Sequence, residues 1–263
     1  MPLRQYAQVL EKLYRRYNRR ELVSPDPLEY VYLYTNPADQ EVVALLASCL
    51  AYGRVVQIRR SIERVLGVLG PEPGRVVLGL APGELPNGLE DFRHRFCGPG
   101  HLGSLLVSAG AAIRRYGSLG ECFSDCWRRQ GKQMPAALGD FAARLQQLDG
   151  GGCGHLLPNA SRGSACKRLN LLLRWMVRQD RVDLGLWKHI PASALLIPLD
   201  THMHRISLDL KLTRRRQADL KTAVEVTEKF AAIQPQDPVK YDFTLTRPGI
   251  WGKRDFLESP MLK

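Results

Sequence analysis

What the chain lacks narrows it first. Its 263 residues include only six cysteines, Cys49, Cys97, Cys122, Cys126, Cys153 and Cys166. They form no Cys-x-x-Cys pair, and no second close pair joins Cys122 and Cys126. Structural zinc and iron–sulfur sites need clustered ligands, so no metal and no cofactor is expected. Scattered thiols suit a reducing compartment, and the expected location is cytoplasmic. No apolar run approaches the ~20 residues of a membrane span. Arg4, Glu11 and Lys12 interrupt any leader-like apolar core, and no membrane partner is expected. Period-two alternation is nearly missing, with Arg75–Leu80 the one short strand candidate. Internal repeats and low-complexity tracts are missing too. Acidic residues are scarce beside basic ones, 26 against 38, for a net charge of +12. That imbalance favours a polyanionic partner.

What is present is helical periodicity, and the expected fold class is all-α. Residues 3–20 carry apolar positions at helical spacing. Asn36-Pro37 reads as an N-cap followed by proline at the first helical position, opening an apolar helix over 37–51. Further helices are expected over 54–68, 101–116, 164–179, 201–211, 216–232 and 238–247, the last opened by Asp237-Pro238. Gly117 suits a helix terminus. Residues 70–90 read as loop with one short helix, and the glycine-rich stretch 149–163 reads as loop.

Two segments carry candidate chemistry. In the helix over 164–179, Leu169, Leu172, Leu173 and Met176 share one face, and Lys167, Asn170, Arg174 and Arg178 share the opposite one. The first stripe is core. The second is expected to be a cationic surface, either simply solvated or meeting phosphates. Lys167 sits in the first turn after a glycine-rich loop, where an amine is a candidate nucleophile. The second segment is Pro198-Leu199-Asp200-Thr201-His202-Met203-His204-Arg205. Met203, Ile206 and Leu210 follow Asp200 at helical spacing, so Asp200 is expected to cap a helix and to stay ionised at its positive end. A carboxylate there can also stabilise a developing cation. His202, His204 and Arg205 are candidate donors to a nucleic-acid backbone. The same His202-x-His204 spacing occurs in metal-dependent hydrolases built on βα barrels. Only 59 residues follow it, too few for the remaining barrel units.

Leu199-Asp200-Thr201-His202, with Arg205 following, resembles the catalytic-aspartate segment of the helix-hairpin-helix DNA glycosylases, the relatives of endonuclease III, 8-oxoguanine glycosylase and 3-methyladenine glycosylase. Lys167, after Gly163-Ser164-Ala165-Cys166, stands where the bifunctional members carry their lysine. The 33-residue separation and the run Lys167-Arg168-Leu169-Asn170-Leu171-Leu172 are most similar to the archaeal 8-oxoguanine glycosylase branch. Looser likeness extends over 37–251, including Leu50-Ala51-Tyr52-Gly53-Arg54, Phe92-Arg93-His94-Arg95-Phe96 and Pro235 to Phe243. The chain departs from the pattern in two places. His155 to Gly163 replaces the usual Leu-Pro-Gly-Val-Gly hairpin, and no cysteine follows Cys166 to build the iron–sulfur motif.

The resemblance implies two helical lobes around a central cleft, one from residues 1–36 and 196–263, the other from 37–195 and carrying the lysine helix. It implies a monomeric base-excision repair glycosylase with AP lyase activity, acting on double-stranded DNA that contains a damaged base such as 8-oxoguanine. Lys167 and Asp200 would be catalytic, the amine attacking C1′ to give a Schiff base. Tyr52, Arg54, Arg162, Ser164, Arg168, Arg174, His202, His204 and Arg205 would contact DNA, Tyr52 or Arg54 filling the space of an extruded base. Trp175, Tyr241, Asp242 and Trp251 would form the base pocket. The competing readings are a non-catalytic helix-hairpin-helix nucleic-acid-binding module and a metal hydrolase using His202 and His204.

Overall fold

The computed structural model describes residues 4–158, 160 and 163–250, with side chains from residue 6 to residue 247. Among these residues there are twelve α-helices and no strand: α1 (Arg4–Tyr17), α2 (Leu28–Val31), α3 (Pro37–Leu50), α4 (Val55–Leu69), α5 (Pro73–Gly79), α6 (Pro99–Tyr116), α7 (Leu119–Arg129), α8 (Met134–Leu148), α9 (Lys167–Val177), α10 (Thr201–Asp209), α11 (Leu220–Ala231) and α12 (Asp242–Ile250). The all-α class holds. Among the described residues, no helix is long and apolar enough to cross a membrane.

The chain divides into two units, Val23–Ser161 and Met1–Leu22 with Arg162–Lys263. This partition differs from the one expected at 36/37 and 195/196. The lysine helix α9 belongs with the chain termini, because its buried cations find their carboxylates on the 180–183 turn, at Asp237 and on α12.

In the unit Val23–Ser161, α6 packs against α5, α7 and α8, while α3 packs against α2 and α5. Apolar periodicity builds this core, but two acids on α3 complete it. Asp39 Oδ1 accepts from Gly74 N at 2.7 Å, at the start of α5. Glu41 accepts from Leu119 N at 2.9 Å and Gly120 N at 3.1 Å, at the start of α7. Both carboxylates are buried. Each satisfies orphan N–H groups and opposes the positive end of a helix on another element. Gly110 marks the tightest helix approach: a Cβ there would lie 1.9 Å from Val77 O.

Local signals hold where they are self-contained. Asn36 Oδ1 accepts from Ala38 N at 2.9 Å with Pro37 in the first turn. Gly117 ends α6 at a φ of 92°. Others shift. Arg75–Leu80, read as the strand candidate, falls in and just after helix α5. The helix expected over 164–179 starts at Lys167, because Cys166 adopts φ 47°, ψ 37° and turns the chain there. The helix expected over 216–232 starts at Leu220, with Asp219 as its N-cap. The Asp237-Pro238 cap reading is overturned: α12 starts at Asp242, and Asp237 instead accepts from Arg178. Helices α7 and α8 lie in a stretch to which no helix was assigned.

Candidate functional site

The unit containing the termini brings Lys167 and Asp200 together. Cys166 precedes α9 in a left-handed conformation, and Lys167 is the first helical residue. Asp200 is the N-cap of α10, and its Oδ1 accepts from Met203 N at 2.8 Å. Its Oδ2 lies 3.8 Å from Lys167 Nζ. The two side chains are 31% and 28% exposed, so both reach solvent. Burial is the first influence on the Cys166 thiol and raises it above its ordinary value, against weaker opposing pulls from Ser164 and Arg168. Cys166 is buried, whereas Lys167 reaches solvent.

A third helix start joins this pair. Ser164 pairs with Asp219 through an isolated bridge, and Leu220 N donates to Gly163 O at 3.0 Å. The start of α11 thus lies against the segment that leads into α9. Ser164 Oγ accepts from Cys166 N at 3.2 Å, shaping that segment. His204 Nε2 lies 2.9 Å from Arg215 O, which ties α10 to the loop before α11. His202, Arg205, Arg214, Arg216 and Lys221 are exposed, while Arg168 and Arg215 are half-exposed. Helix N-termini and cations act in the same direction, attracting anionic oxygens. Arg214-Arg215-Arg216 and Lys221 were not among the expected contacts, although the basic run was visible in the sequence.

Several expected site residues lie elsewhere. Arg174 is a buried structural cation, with a side chain only 2% exposed. It pairs with Asp183 at 3.3 Å and with Asp242. Asp242 is buried in that same pair and presents no carboxylate to a base. Trp175 is fully buried on α9, and Tyr241 is buried with its hydroxyl 3.2 Å from Glu11 Oε2. The expected base-pocket residues Trp175, Tyr241 and Asp242 are therefore core. The expected cationic stripe is overturned with them: Asn170, Arg174 and Arg178 are buried. Only the first turn of the stripe, at Lys167, reaches solvent. Arg162 and Trp251 lie outside the described residues. The His202-x-His204 pair splits between solvent and the Arg215 carbonyl. Among the described residues, no three His, Cys, Asp or Glu side chains assemble as a metal-ligand set.

In the unit Val23–Ser161, Tyr52 is locked in place. Its hydroxyl lies 3.0 Å from both His94 O and His155 Nε2, and its ring meets His94 edge-on at 4.6 Å. Its hydroxyl is thus engaged within the fold. Arg54 is exposed. The exposed aromatic is Phe96, at 73%. It follows Arg95, whose φ is 55° and whose guanidinium lies 5.6 Å from the Phe96 ring centroid. Phe96, Arg93, Arg95, Arg54, Val55 and Val56 are all exposed. Gly53 lies against the Arg95 side chain, where a Cβ would come within 2.9 Å. The loops 53–56 and 93–96 are thereby joined into one apolar and cationic surface.

A family model covers most of this architecture, matching residues 26–251. The chain belongs to the DUF2400 family. That family is described as proteins of unknown function. No curated protein and no solved structure matches the chain. Lys167, Asp200 and Phe96 all fall within the matched span of this DUF2400 chain.

Proposed function

We propose that this protein is a DNA base-excision glycosylase with AP lyase activity, built as a helix-hairpin-helix glycosylase with two helical lobes. One observation carries the reading. Two residues 33 positions apart, an amine and a carboxylate, meet at 3.8 Å where two helices begin, both partly open to solvent, on segments that also carry Arg168 and exposed Arg205. A purely structural ion pair at this exposure contributes at most about 1 kcal/mol, and it requires no basic surroundings.

In the proposed reaction Lys167 Nζ attacks C1′ of a damaged nucleotide. The N–C1′ bond forms as the glycosidic C–N bond breaks, and the base leaves with a proton. At 3.8 Å from Lys167 Nζ, Asp200 Oδ2 can take the ammonium proton through one water, return it to the departing base, and stabilise the oxocarbenium-like charge. Oδ1 is held by Met203 N, so the carboxylate keeps this orientation. Ring opening gives a Schiff base, and elimination then cleaves the strand. Half-exposed Arg168 and the exposed groups Arg205, Arg214, Arg216 and Lys221 suit phosphate contacts. Phe96, flanked by Arg93 and Arg95, suits stacking on an exposed base. Resemblance to the archaeal branch favours 8-oxoguanine as the excised base.

Borohydride trapping on duplexes carrying single lesions tests the reading. Wild type is expected to form a covalent adduct. Lys167→Ala loses it while still binding duplex, and Asp200→Asn slows its formation by about 10²–10⁴-fold, the range for a positioned proton-transfer group. Duplex binding with no adduct and no base release on any lesion would instead identify a non-catalytic binding module.

A further inference from the structure

Away from Lys167, the unit containing the chain termini holds a second concentration of cations. The end of α1 and the turn after it expose Arg15, Arg16, Arg19 and Arg20, and Arg181 is exposed as well. Arg19, Arg20 and Arg181, with Glu21 and Leu22, line an open hollow of about 640 Å³. Three guanidiniums face a single carboxylate. Leu22 is the one apolar residue of the lining. Recognition here is of charge and of planar, bidentate oxygen geometry, which guanidinium suits.

The walls of the hollow are held from below. Tyr14 Oη on α1 donates to Asp180 Oδ2 at 2.8 Å. Asp180 Oδ1 accepts from Val182 N at 2.7 Å and Asp183 N at 2.8 Å, which closes the turn that carries Arg181. Asp180 also pairs with buried Arg178 at 2.9 Å. The helix α1, which leads into the lining residues Arg19–Leu22, and the turn that carries Arg181 are therefore tied to one buried ionic network. Guanidiniums on fixed backbone lose less freedom on binding.

We propose that this hollow is a phosphodiester-binding site that grips a nucleic-acid backbone beyond the end of α9 opposite Lys167. The α9 helix has 11 residues, a length of about 16 Å at 1.5 Å per residue. A strand covers that distance in about five nucleotides at 3.4 Å each, so a duplex of about 20 base pairs is long enough to probe both ends. The site rests on the nucleic-acid reading of the partner and not on the amine chemistry.

The test measures binding of an undamaged 20-base-pair duplex by fluorescence anisotropy between 50 and 200 mM salt. It compares the full chain with the triple variant Arg19→Gln, Arg20→Gln, Arg181→Gln. All three side chains are exposed, so the melting temperature should stay unchanged. Each lost phosphate contact removes about 0.9 from the slope of log K against log salt. The variant should therefore bind at least tenfold more weakly at 50 mM salt, with a slope shallower by about 2.7 when all three contacts are lost. Its borohydride trapping at saturating protein should equal wild type. Unchanged affinity and slope in the triple variant, with Arg168→Gln/Arg205→Gln weakened, would overturn the site. So would loss of binding to phosphatidylserine vesicles in the variant with duplex binding intact, which would assign the hollow to a membrane surface. Failure of trapping in wild type, with the duplex result as expected, would sink the lyase and leave this site standing.

Discussion

Replacing Arg178 with methionine separates two accounts of the α9 cations. On sequence periodicity alone Arg178 belongs to a surface that meets phosphates, and its removal should weaken DNA binding without touching stability. The structure makes it a buried hub. Its side chain is 3% exposed and engages Asp180 at 2.9 Å, Asp237 at 2.9 Å, and Asp183. Breaking a buried ion pair by removing one partner costs about 3–5 kcal/mol, because the remaining charge is left uncompensated. At about 2.1 cal/mol/K per residue, 263 residues give an unfolding entropy near 0.55 kcal/mol/K. The variant should then melt roughly 5–9 °C lower, if the chain unfolds as one. The deficit should also depend on pH. Burial raises the Asp180 carboxyl, but Arg178 and the N–H groups of Asp183 and Val182 outweigh it, leaving Asp180 below its ordinary value. Its stabilisation is present at neutral pH and lost as pH falls through the folded-state value. Burial pushes Asp183 up to about 6 against the pull of Arg174 and Arg178, so it is ionised at neutral pH. Without Arg178 both carboxylates bind protons more readily. The gap between variant and wild type should therefore be largest above about pH 6 and narrow toward pH 4. Calorimetry across this range is the assay. A deficit below 1 kcal/mol, a deficit independent of pH, or weakened duplex binding at unchanged stability would each refute the buried-hub account.

Three further outcomes are expected. Gly110→Ala gains about 1 kcal/mol of helix propensity, but its Cβ would meet Val77 O at 1.9 Å. Overpacking of this kind costs about 1–3 kcal/mol or more, and because the obstacle is backbone the balance should be a lower denaturation midpoint. Glu41→Gln replaces one of two acceptor oxygens with a donor at the start of α7. It should cost about 1–3 kcal/mol for the orphaned N–H, measured by urea unfolding; an unchanged midpoint would show that α7 does not need this cap. Phe96→Ala should leave the melting temperature unchanged, since the ring is largely exposed, while weakening binding to a duplex with an unpaired base. Stacking at about 1–3 kcal/mol per base corresponds to roughly 5- to 150-fold, read by anisotropy.

Much of the fold was legible because the relevant signals are local. Asn36-Pro37, Gly117 and Asp200 act through their own turn, and each ends or begins a helix where expected. The helical class follows from apolar spacing, and so does the burial of Leu169, Leu172, Leu173 and Met176. Asp237-Pro238 has the same local form as Asn36-Pro37 and does not cap, because Arg178 offers the carboxylate a stronger, charged partner.

The polar face of α9 was misread for a related reason. Periodicity reports which side chains share a face, but not what that face meets. Arg174 and Arg178 look like surface residues until Asp180, Asp183, Asp237 and Asp242 arrive from the turn after α9 and from the segment around α12. Once paired, they can be buried at a cost that isolated charges could not bear. Trp175 and Tyr241 carry no mark in sequence that separates core from pocket. By itself the sequence determined an all-helical chain of strong positive charge with an amine and a carboxylate at two helix starts. Only the tertiary structure decided that these two meet, that the cations behind them face inward, and that Phe96 rather than Tyr52 stands exposed. Meeting, burial and exposure depend on long-range partners that no local window contains.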